Sequence, residues 1–331
     1  MTLRILVTAP YLAEMALRLL HEAGAEVEFV GLEGGVAEMQ RKLAATPFDG
    51  VISRLLPISE ATMAACPTLR VISRAAVGHD SIDVAAATAR GIAVLTAVGA
   101  NAQSVAEHTI GLMLCIARNI ARHNTAMRAG GWERQRMGVQ LRGRRLGLVG
   151  YGAIAQTTAH IALAMGMRVA AWSPRIAARG DIAPVTSAAS LHILLAESDV
   201  VSLHVPLNAG TRQMIGAAEL ALLGPDAILV NTARGGLVDE AALADALNTG
   251  RLFGAGLDVH ANEPPLPGHP LVGLPNVVLT PHIAAATPES RAATACAAAT
   301  HALDVLLGRP LPPEACINPE VLAQAFEGTK R

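Results

Sequence analysis

Three polar side chains stand just past apolar runs in the second half of this 331-residue chain. Arg234 follows AILV in NTARGGLVDE, Glu263 lies in LDVHANEPP, and His282 follows Pro281 in LTPHIAAAT. A guanidinium binds a carboxylate and its neighbouring carbonyl as a fork. A protonated imidazole neutralises charge developing on such a carbonyl oxygen. A carboxylate hydrogen-bonded to the imidazole favours the charged ring and fixes its orientation. Taken singly, each residue has an ordinary explanation: Arg234 as a loop charge, Glu263 as a surface carboxylate beside two prolines, His282 as a helix cap. As a set they supply anion binding and acid–base chemistry. No cluster of His, Cys and Asp has metal-ligand spacing, so no metal is expected.

A second constellation lies upstream. LGLVGYGAIAQ (146–156) carries Gly150, Gly152 and Ala155 in the G-x-G-x-x-A form, between a strand-like run and a helical one. That is the context the motif requires. Gly150 permits a tight turn. Gly152 lets the backbone approach a pyrophosphate seated at a helix N-terminus, with Tyr151, Ala153 and Ile154 around it. Ligand-free turns use glycine too, and it is the place of this turn at the head of a strand series that favours a dinucleotide. About twenty residues on, an acidic residue would hold the ribose 2′-hydroxyl. Here MRVAAW runs instead into Ser173, Pro174 and Arg175. A hydroxyl followed by a guanidinium suits a 2′-phosphate, so NADP is expected in preference to NAD. Arg175 as a solvated loop charge is the competing reading.

The elements that must position these residues read as short apolar runs alternating with helical patterns. Strand candidates are 4–8, 26–30, 50–54, 70–74 and 92–96, and LAEMALRLLHEAG (12–24) ends on a capping glycine. The stretch 104–130 reads as one long helix crossing between domains, opened by a Ser104/Glu107 capping box and stopped by Gly130–Gly131. A second strand series follows at 144–150, 167–172, 200–205, 227–233, 254–259 and 276–280, then a helix over 289–307. The alternation predicts an α/β chain of two doubly wound parallel-sheet domains. A Rossmann-type cofactor domain (99–287) is expected as an insertion in a flavodoxin-like substrate-binding domain made of 1–98 and 288–331.

Composition narrows the partners. Hydrophobic residues make up 52% and charged ones 16%, which suits a large buried core and not disorder. Basic residues number 26 and acidic ones 27, so neither nucleic acid nor an anionic membrane is an expected partner. The most apolar long segment, 101–117, carries Glu107 and His108 and does not read as a membrane span. Cys66, Cys115, Cys296 and Cys316 have neither zinc nor disulfide spacing, and MTLRILVTAP lacks a signal-peptide pattern. A cytoplasmic location is therefore expected.

Ordered motifs cover nearly the whole chain: LRVISRAAVGHDSID (69–83), NAQSVAEHTIGLML (101–114), LGLVGYGAIAQ, SLHVPLNAGTRQMI (202–215), NTARGGLVDE, GAGLDVHANEPP and VVLTPHIAAAT. In them the sequence resembles the D-isomer-specific 2-hydroxyacid dehydrogenases. The resemblance implies NAD(P)-dependent reduction of a small 2-oxo acid of the glyoxylate or hydroxypyruvate type. Arg234 would bind substrate, Glu263 would pair with His282, and His282 would be the general acid–base. It further implies that Asp258 holds the nicotinamide carboxamide and that His204, Val205, Pro206, Thr211, Thr232, Ala233, His282 and Ala284 contact cofactor. Val77 and Gly78 would cradle the substrate carboxylate through their backbone, with Asn101 and Ser104 lining the cleft and Arg54 on the substrate. Homodimers would form through the cofactor domain. Ala284 and Ala285 stand where the family usually has a glycine pair, which narrows the expected cleft.

Rival readings differ in substrate or class. Formate dehydrogenases carry Gln in place of Glu263, whereas phosphite dehydrogenases share the whole Arg–Glu–His set. D-3-phosphoglycerate dehydrogenase is the main alternative, because Arg54 and Arg74 match arginines near the substrate phosphate in some of these enzymes. Against it, Ser173 replaces the Asp usual in its NAD-dependent members, and no regulatory domain follows, although short forms exist. From another class come dinucleotide-sensing corepressors, whose long disordered extensions have no counterpart here.

Overall fold

Four-residue runs such as RILV and GVIS are too short to nucleate a helix but fit a parallel sheet buried on both faces. A computed structural model, which describes residues 2–323, has them as strands. In the first part, β1 (Arg4–Val7), β2 (Glu26–Phe29), β3 (Gly50–Ser53), β4 (Val71–Arg74) and β5 (Ala93–Thr96) pair in the order β2-β1-β3-β4-β5, all parallel. Helices α1 (Glu14–Glu22), α2 (Gly35–Ala45), α3 (Glu60–Ala64) and α4 (Val84–Ala89) connect them. Every residue of β3 and β5 is buried.

The expected helix over 104–130 is two helices, α5 (Ala102–Ala117) and α6 (Ile120–Arg128). Asn119 breaks them apart in the left-handed region (φ 52°), a conformation that Asn tolerates better than most residues. Its amide, turned inward, donates to Met137 O at 3.2 Å. Ser104 lies inside α5 instead of capping it, and Glu107 accepts a hydrogen bond from Gln103 Nε2, so the expected capping box does not form. Nor does α5 cross between units; it lies wholly in the second.

The second sheet continues through β6 (Arg145–Val149), α7 (Ala153–Ala164), β7 (Arg168–Trp172), α8 (Pro174–Arg179), β8 (Thr186–Ser187), α9 (Leu191–Ala196) and β9 (Val200–Leu203). It ends with α10 (Ala217–Leu220), β10 (Ile228–Asn231), α11 (Glu240–Asn248), β11 (Gly254–Leu257) and β12 (Val277–Leu279). The parallel order is β12-β11-β10-β9-β6-β7-β8, so strand order reverses between β6 and β9 as in a Rossmann sheet. The edge strand β8 is absent from the sequence expectation, since two polar residues carry no period.

Helix α12 (Pro288–Leu306) then buries Ala295, Ala298, Ala299 and Ala302 in the core of the first sheet. The tail closes that sheet's free edge. Asn318 Oδ1 accepts from Val94 N at 2.8 Å, and Asn318 Nδ2 donates to Ile92 O at 2.9 Å. The chain thus divides into two compact units, Met1–Asn101 with Thr287–Arg331, and Ala102–Ala286. The sequence reading draws these boundaries at 98/99 and 287/288. Among the described residues, no helix is long and apolar enough to cross a membrane.

Candidate active site

The phosphate-binding turn joins β6 to α7 in the second unit. Gly150 has φ 93°, and a Cβ there would stand 2.5 Å from His204 O, because His204 N–H is bonded to Val149 O at 2.7 Å. Only glycine satisfies both demands. Gly152 differs: its φ is −80°, and a Cβ would meet nothing within 4 Å. Neither backbone nor neighbours require glycine there, and the space beside it is open. Ala153 and Ile154, in the first turn of α7, have amides that no helical carbonyl can reach. Ala155 is fully buried and holds α7 tightly to the sheet. Burial pushes the half-buried Tyr151 phenol upward. These features fit a dinucleotide pyrophosphate.

Gly150 N–H donates to Trp172 O at 2.8 Å, which sets the end of β7 beside this turn. Ser173 caps α8: its Oγ accepts from Ile176 N at 3.2 Å, and its hydroxyl proton stays free to donate. Pro174 occupies the first helical position, and Arg175 is exposed with no polar partner among the described residues. At the exit of β9, His204 Nε2 meets Ser202 Oγ at 2.9 Å, and burial pushes the ring down to about 4, so it is neutral at physiological pH. Val205 is half-buried, and Thr211 Oγ1 donates to Pro206 O at 2.6 Å and accepts from Asn208 N, closing that loop. Thr232 Oγ1 meets Thr109 Oγ1 at 2.9 Å, tying the end of β10 to α5, and Ala233 N–H bonds Asn231 Oδ1 at 3.0 Å.

Arg234 follows on extended backbone, its Nη1 donating to Ala233 O at 2.6 Å and its own carbonyl held by Asn231 Nδ2 at 2.8 Å. The next residue decides where this turn lies. A Cβ on Gly235 would sit 1.9 Å from the carbonyl carbon of His260, so the Arg234 turn rests directly on the segment after β11. That segment carries Glu263. Glu263 Oε1 accepts from His260 N at 3.1 Å, and Oε2 accepts from His282 Nδ1 at 2.7 Å. Both side chains are partly open, Glu263 at 39% and His282 at 49%. Nε2 of His282 has no hydrogen-bond partner among the described residues.

His282 sits in the left-handed region (φ 55°), a costly place for a non-glycine residue. Asp258 holds it there. Its backbone carbonyl accepts from His282 N at 2.7 Å, and its carboxylate accepts from Thr280 Oγ1 (2.5 Å), Ile283 N (2.9 Å) and Ala284 N (2.8 Å). His108 Nε2 adds a contact at 3.4 Å. Burial pushes the carboxyl up, but the donors His108, Thr280, Ile283 and Ala284 outweigh it and hold Asp258 below the usual carboxylate range. Asp258 is 0% exposed and both oxygens are occupied by protein donors. The same carboxylate thereby braces the 280–284 loop.

The sequence reading missed three supporting residues. Glu240, first in α11, reaches back so that Oε1 accepts from Ala261 N at 3.0 Å and Oε2 from His269 Nε2 at 2.9 Å. His260, 7% exposed, bonds Thr280 O through Nε2 at 3.1 Å, joining the Glu263 and His282 segments. Glu240 ends a quoted motif, yet no local pattern reveals that its side chain folds back on residue 261. Among the described residues, no group of three or more His, Cys, Asp or Glu is placed to hold a metal.

The remaining expected residues belong to the first unit. Arg74 donates to Arg54 O (2.7 Å), Ser53 Oγ (3.1 Å) and Gly78 O (3.2 Å), so it clamps the loops after β3 and β4. Val77 and Gly78 are half-buried on the second of these loops. Arg54 lies over the ring of Tyr11, 5.4 Å from its centroid. Asn101 Oδ1 is buried with no hydrogen-bond donor among the described residues.

Residues 110–284 match the D-isomer specific 2-hydroxyacid dehydrogenase NAD-binding domain. The chain is 38% identical to a D-3-phosphoglycerate dehydrogenase of Archaeoglobus fulgidus over 291 residues, which is 87% of this chain and 54% of that protein. It therefore spans about half the length of that relative. It is 44% identical to a hydroxypyruvate reductase of Thermotoga maritima over 226 residues, 67% of this chain and 73% of that one. The fold superposes with a TM-score of 0.75 on an NADPH-dependent glyoxylate/hydroxypyruvate reductase from Sinorhizobium meliloti solved with NADP and malonate. That comparison covers 93% of each chain at 31% identity.

Proposed function

Because this chain belongs to the D-isomer-specific 2-hydroxyacid dehydrogenase family, we propose that it reduces a small 2-oxo acid, of the glyoxylate or hydroxypyruvate type, to the D-2-hydroxy acid. One observation carries this reading: His282 has one ring nitrogen bound to Glu263 at 2.7 Å and the other open, on a loop braced by Asp258. When bound, a nicotinamide dinucleotide supplies the hydride. Arg234 pairs with the substrate carboxylate as a fork and draws charge from the adjacent carbonyl. Nε2–H of the protonated His282 gives its proton to the carbonyl oxygen as charge builds there. Glu263, its other oxygen anchored to His260 N, holds the ring through Nδ1 and balances the imidazolium. The half-exposed ring then regains a proton from water. The reverse reaction uses the same groups with His282 as base.

In this reading the second unit holds the dinucleotide and the first carries the further substrate residues Arg54, Val77, Gly78 and Asn101. The unpartnered buried Oδ1 of Asn101 supports that role. Ser173 and Arg175 make NADP the preferred cofactor over NAD, and the NADPH dependence of the Sinorhizobium enzyme is in line with that. A homodimer through the second unit is supported by α6, a helix with no buried residue, and by Trp132 and Met137, 75% and 86% exposed beside it. Four free cysteines accord with a cytoplasmic location.

A second reading, D-3-phosphoglycerate dehydrogenase, is favoured by the Archaeoglobus relative and by Arg54. Coupled assays of glyoxylate, hydroxypyruvate, pyruvate and phosphohydroxypyruvate with NADPH and NADH separate the two. Turnover of no 2-oxo acid would overturn both and favour a dinucleotide-sensing binding protein.

A further inference from the structure

Helix α5 is apolar along most of its length, yet it carries an imidazole, His108, whose side chain is only 22% exposed. Its Nε2 lies 3.0 Å from Thr280 Oγ1. Thr280 has a single hydroxyl proton, and the 2.5 Å bond to Asp258 Oδ1 uses it, since an ionised carboxylate only accepts. Thr280 Oγ1 therefore accepts from His108, which places a proton on His108 Nε2. The same nitrogen is 3.4 Å from Asp258 Oδ1, so its N–H faces both oxygens. Burial pushes the Asp258 carboxyl up, and of the donors that more than offset this, His108 is the strongest.

Thr280 is held on a second side. Its carbonyl accepts from His260 Nε2 at 3.1 Å and from His282 N at 3.1 Å. The first of these bonds places the His260 proton on Nε2 and leaves its buried Nδ1 with no partner among the described residues. Helix α5 thus grips the residue two before His282 by its hydroxyl, while the segment after β11 grips it by its carbonyl. The grip matters because His282 stands at φ 55°, a conformation that a non-glycine residue keeps only where its surroundings enforce it.

We propose that His108 is a positioning residue for the reaction: through Thr280 and Asp258 it holds the 280–284 loop so that His282 stays on Glu263 with Nε2 open. His108 touches no reacting atom. Arg234 is fixed by Asn231 and Ala233, outside this brace, so substrate anchoring does not follow it. The kinetic consequence rests on the reductase reading, but the environment of the His282 ring is measurable without turnover.

The test combines steady-state reduction of hydroxypyruvate at saturating NADPH with nitrogen-15 NMR of the histidine rings. His108→Ala should lower kcat on the order of tenfold and leave KM within about twofold. His108→Gln, whose side-chain amide can donate to the same hydroxyl, should bring kcat back to within about threefold of the parent. Thr280→Val should match the loss in His108→Ala, and the double variant should lose no more than either single one, because both remove the same bond. If His108→Ala does not fold, Thr280→Ser against Thr280→Val reads that bond, with the hydroxyl kept in the first and lost in the second. The His282 ring signals, assigned through His282→Ala, should shift in His108→Ala and return in His108→Gln. Such a shift in a protein that turns over no 2-oxo acid ends the reductase reading and keeps the brace. A side chain that serves packing alone gives no rescue by Gln and losses that multiply in the double variant. Either of these results, or unmoved His282 signals, overturns the proposal.

Discussion

Two glutamate–histidine pairs in the second unit share nearly the same geometry in opposite surroundings. Glu263 and His282 meet at 2.7 Å with 39% and 49% of their side chains exposed; Glu240 and His269 meet at 2.9 Å with 12% and 8% exposed. In the buried pair both ring nitrogens are used, since His269 Nε2 donates to Glu240 and Nδ1 accepts from Leu271 N at 3.4 Å. In the open pair Nδ1 is used and Nε2 is not. The ion pair alone is therefore not the chemical device. In the proposed function, one free ring nitrogen is what would let His282 exchange a proton. The closed pair serves geometry instead, because Glu240 also fixes Ala261 N–H beside the residue that anchors Glu263.

The sharpest way to break this comparison is to remove each histidine. His282→Ala should lower kcat for 2-oxo acid reduction by about 10²–10⁴-fold with little change in Tm, since general acid catalysis is lost from an exposed position. His269→Ala should do the opposite. Leaving the buried Glu240 carboxylate unpaired costs about 1–3 kcal/mol of stability, while kcat falls far less. Similar kcat losses in both variants would show that the open nitrogen is not what distinguishes the pairs.

Arg234→Ala should lower kcat/KM by about 2–4 kcal/mol of transition-state stabilisation, since it deletes charge-assisted contacts to the substrate. Dinucleotide affinity, measured by fluorescence titration, should change little. Loss of that affinity with turnover retained would place Arg234 on the cofactor instead.

The two carboxylates should then differ in kind. Glu263→Gln should lower kcat/KM roughly tenfold, because Gln gives the imidazolium no counter-charge. Glu240→Gln, which keeps an acceptor for Ala261 N–H, should cost only a few-fold in kcat/KM. Equal losses in both would mean that the buried pair acts on the proton directly.

The smallest effect concerns cofactor choice. Ser173 and Arg175 contribute on the order of 1–3 kcal/mol to NADPH over NADH, so Arg175→Ala should cut the ratio of kcat/KM values by about five-fold or more. An NADH preference in the parent protein would refute that assignment.

Much of this was legible because its signals are local. Each apolar run became a strand within a residue or two, since four buried β-branched or aliphatic residues between helical patterns fit little else. The turn at Gly150–Gly152 and the residues Arg234, Glu263 and His282 stood out because each lies within a few residues of the end of such a run. What only the tertiary structure decided depends on residues far apart in the chain. Asn119 breaks the long helical pattern where its amide reaches Met137 O, eighteen residues on. Asp258 braces the His282 loop because four donors converge on one carboxylate, and Glu240 closes on His269 across 29 residues. Tyr11 meets Arg291 across 280 residues. Periodicity and turn chemistry are properties of neighbours along the chain. The partner of a buried charge is set by packing, which brings together groups whose separation in sequence carries no pattern.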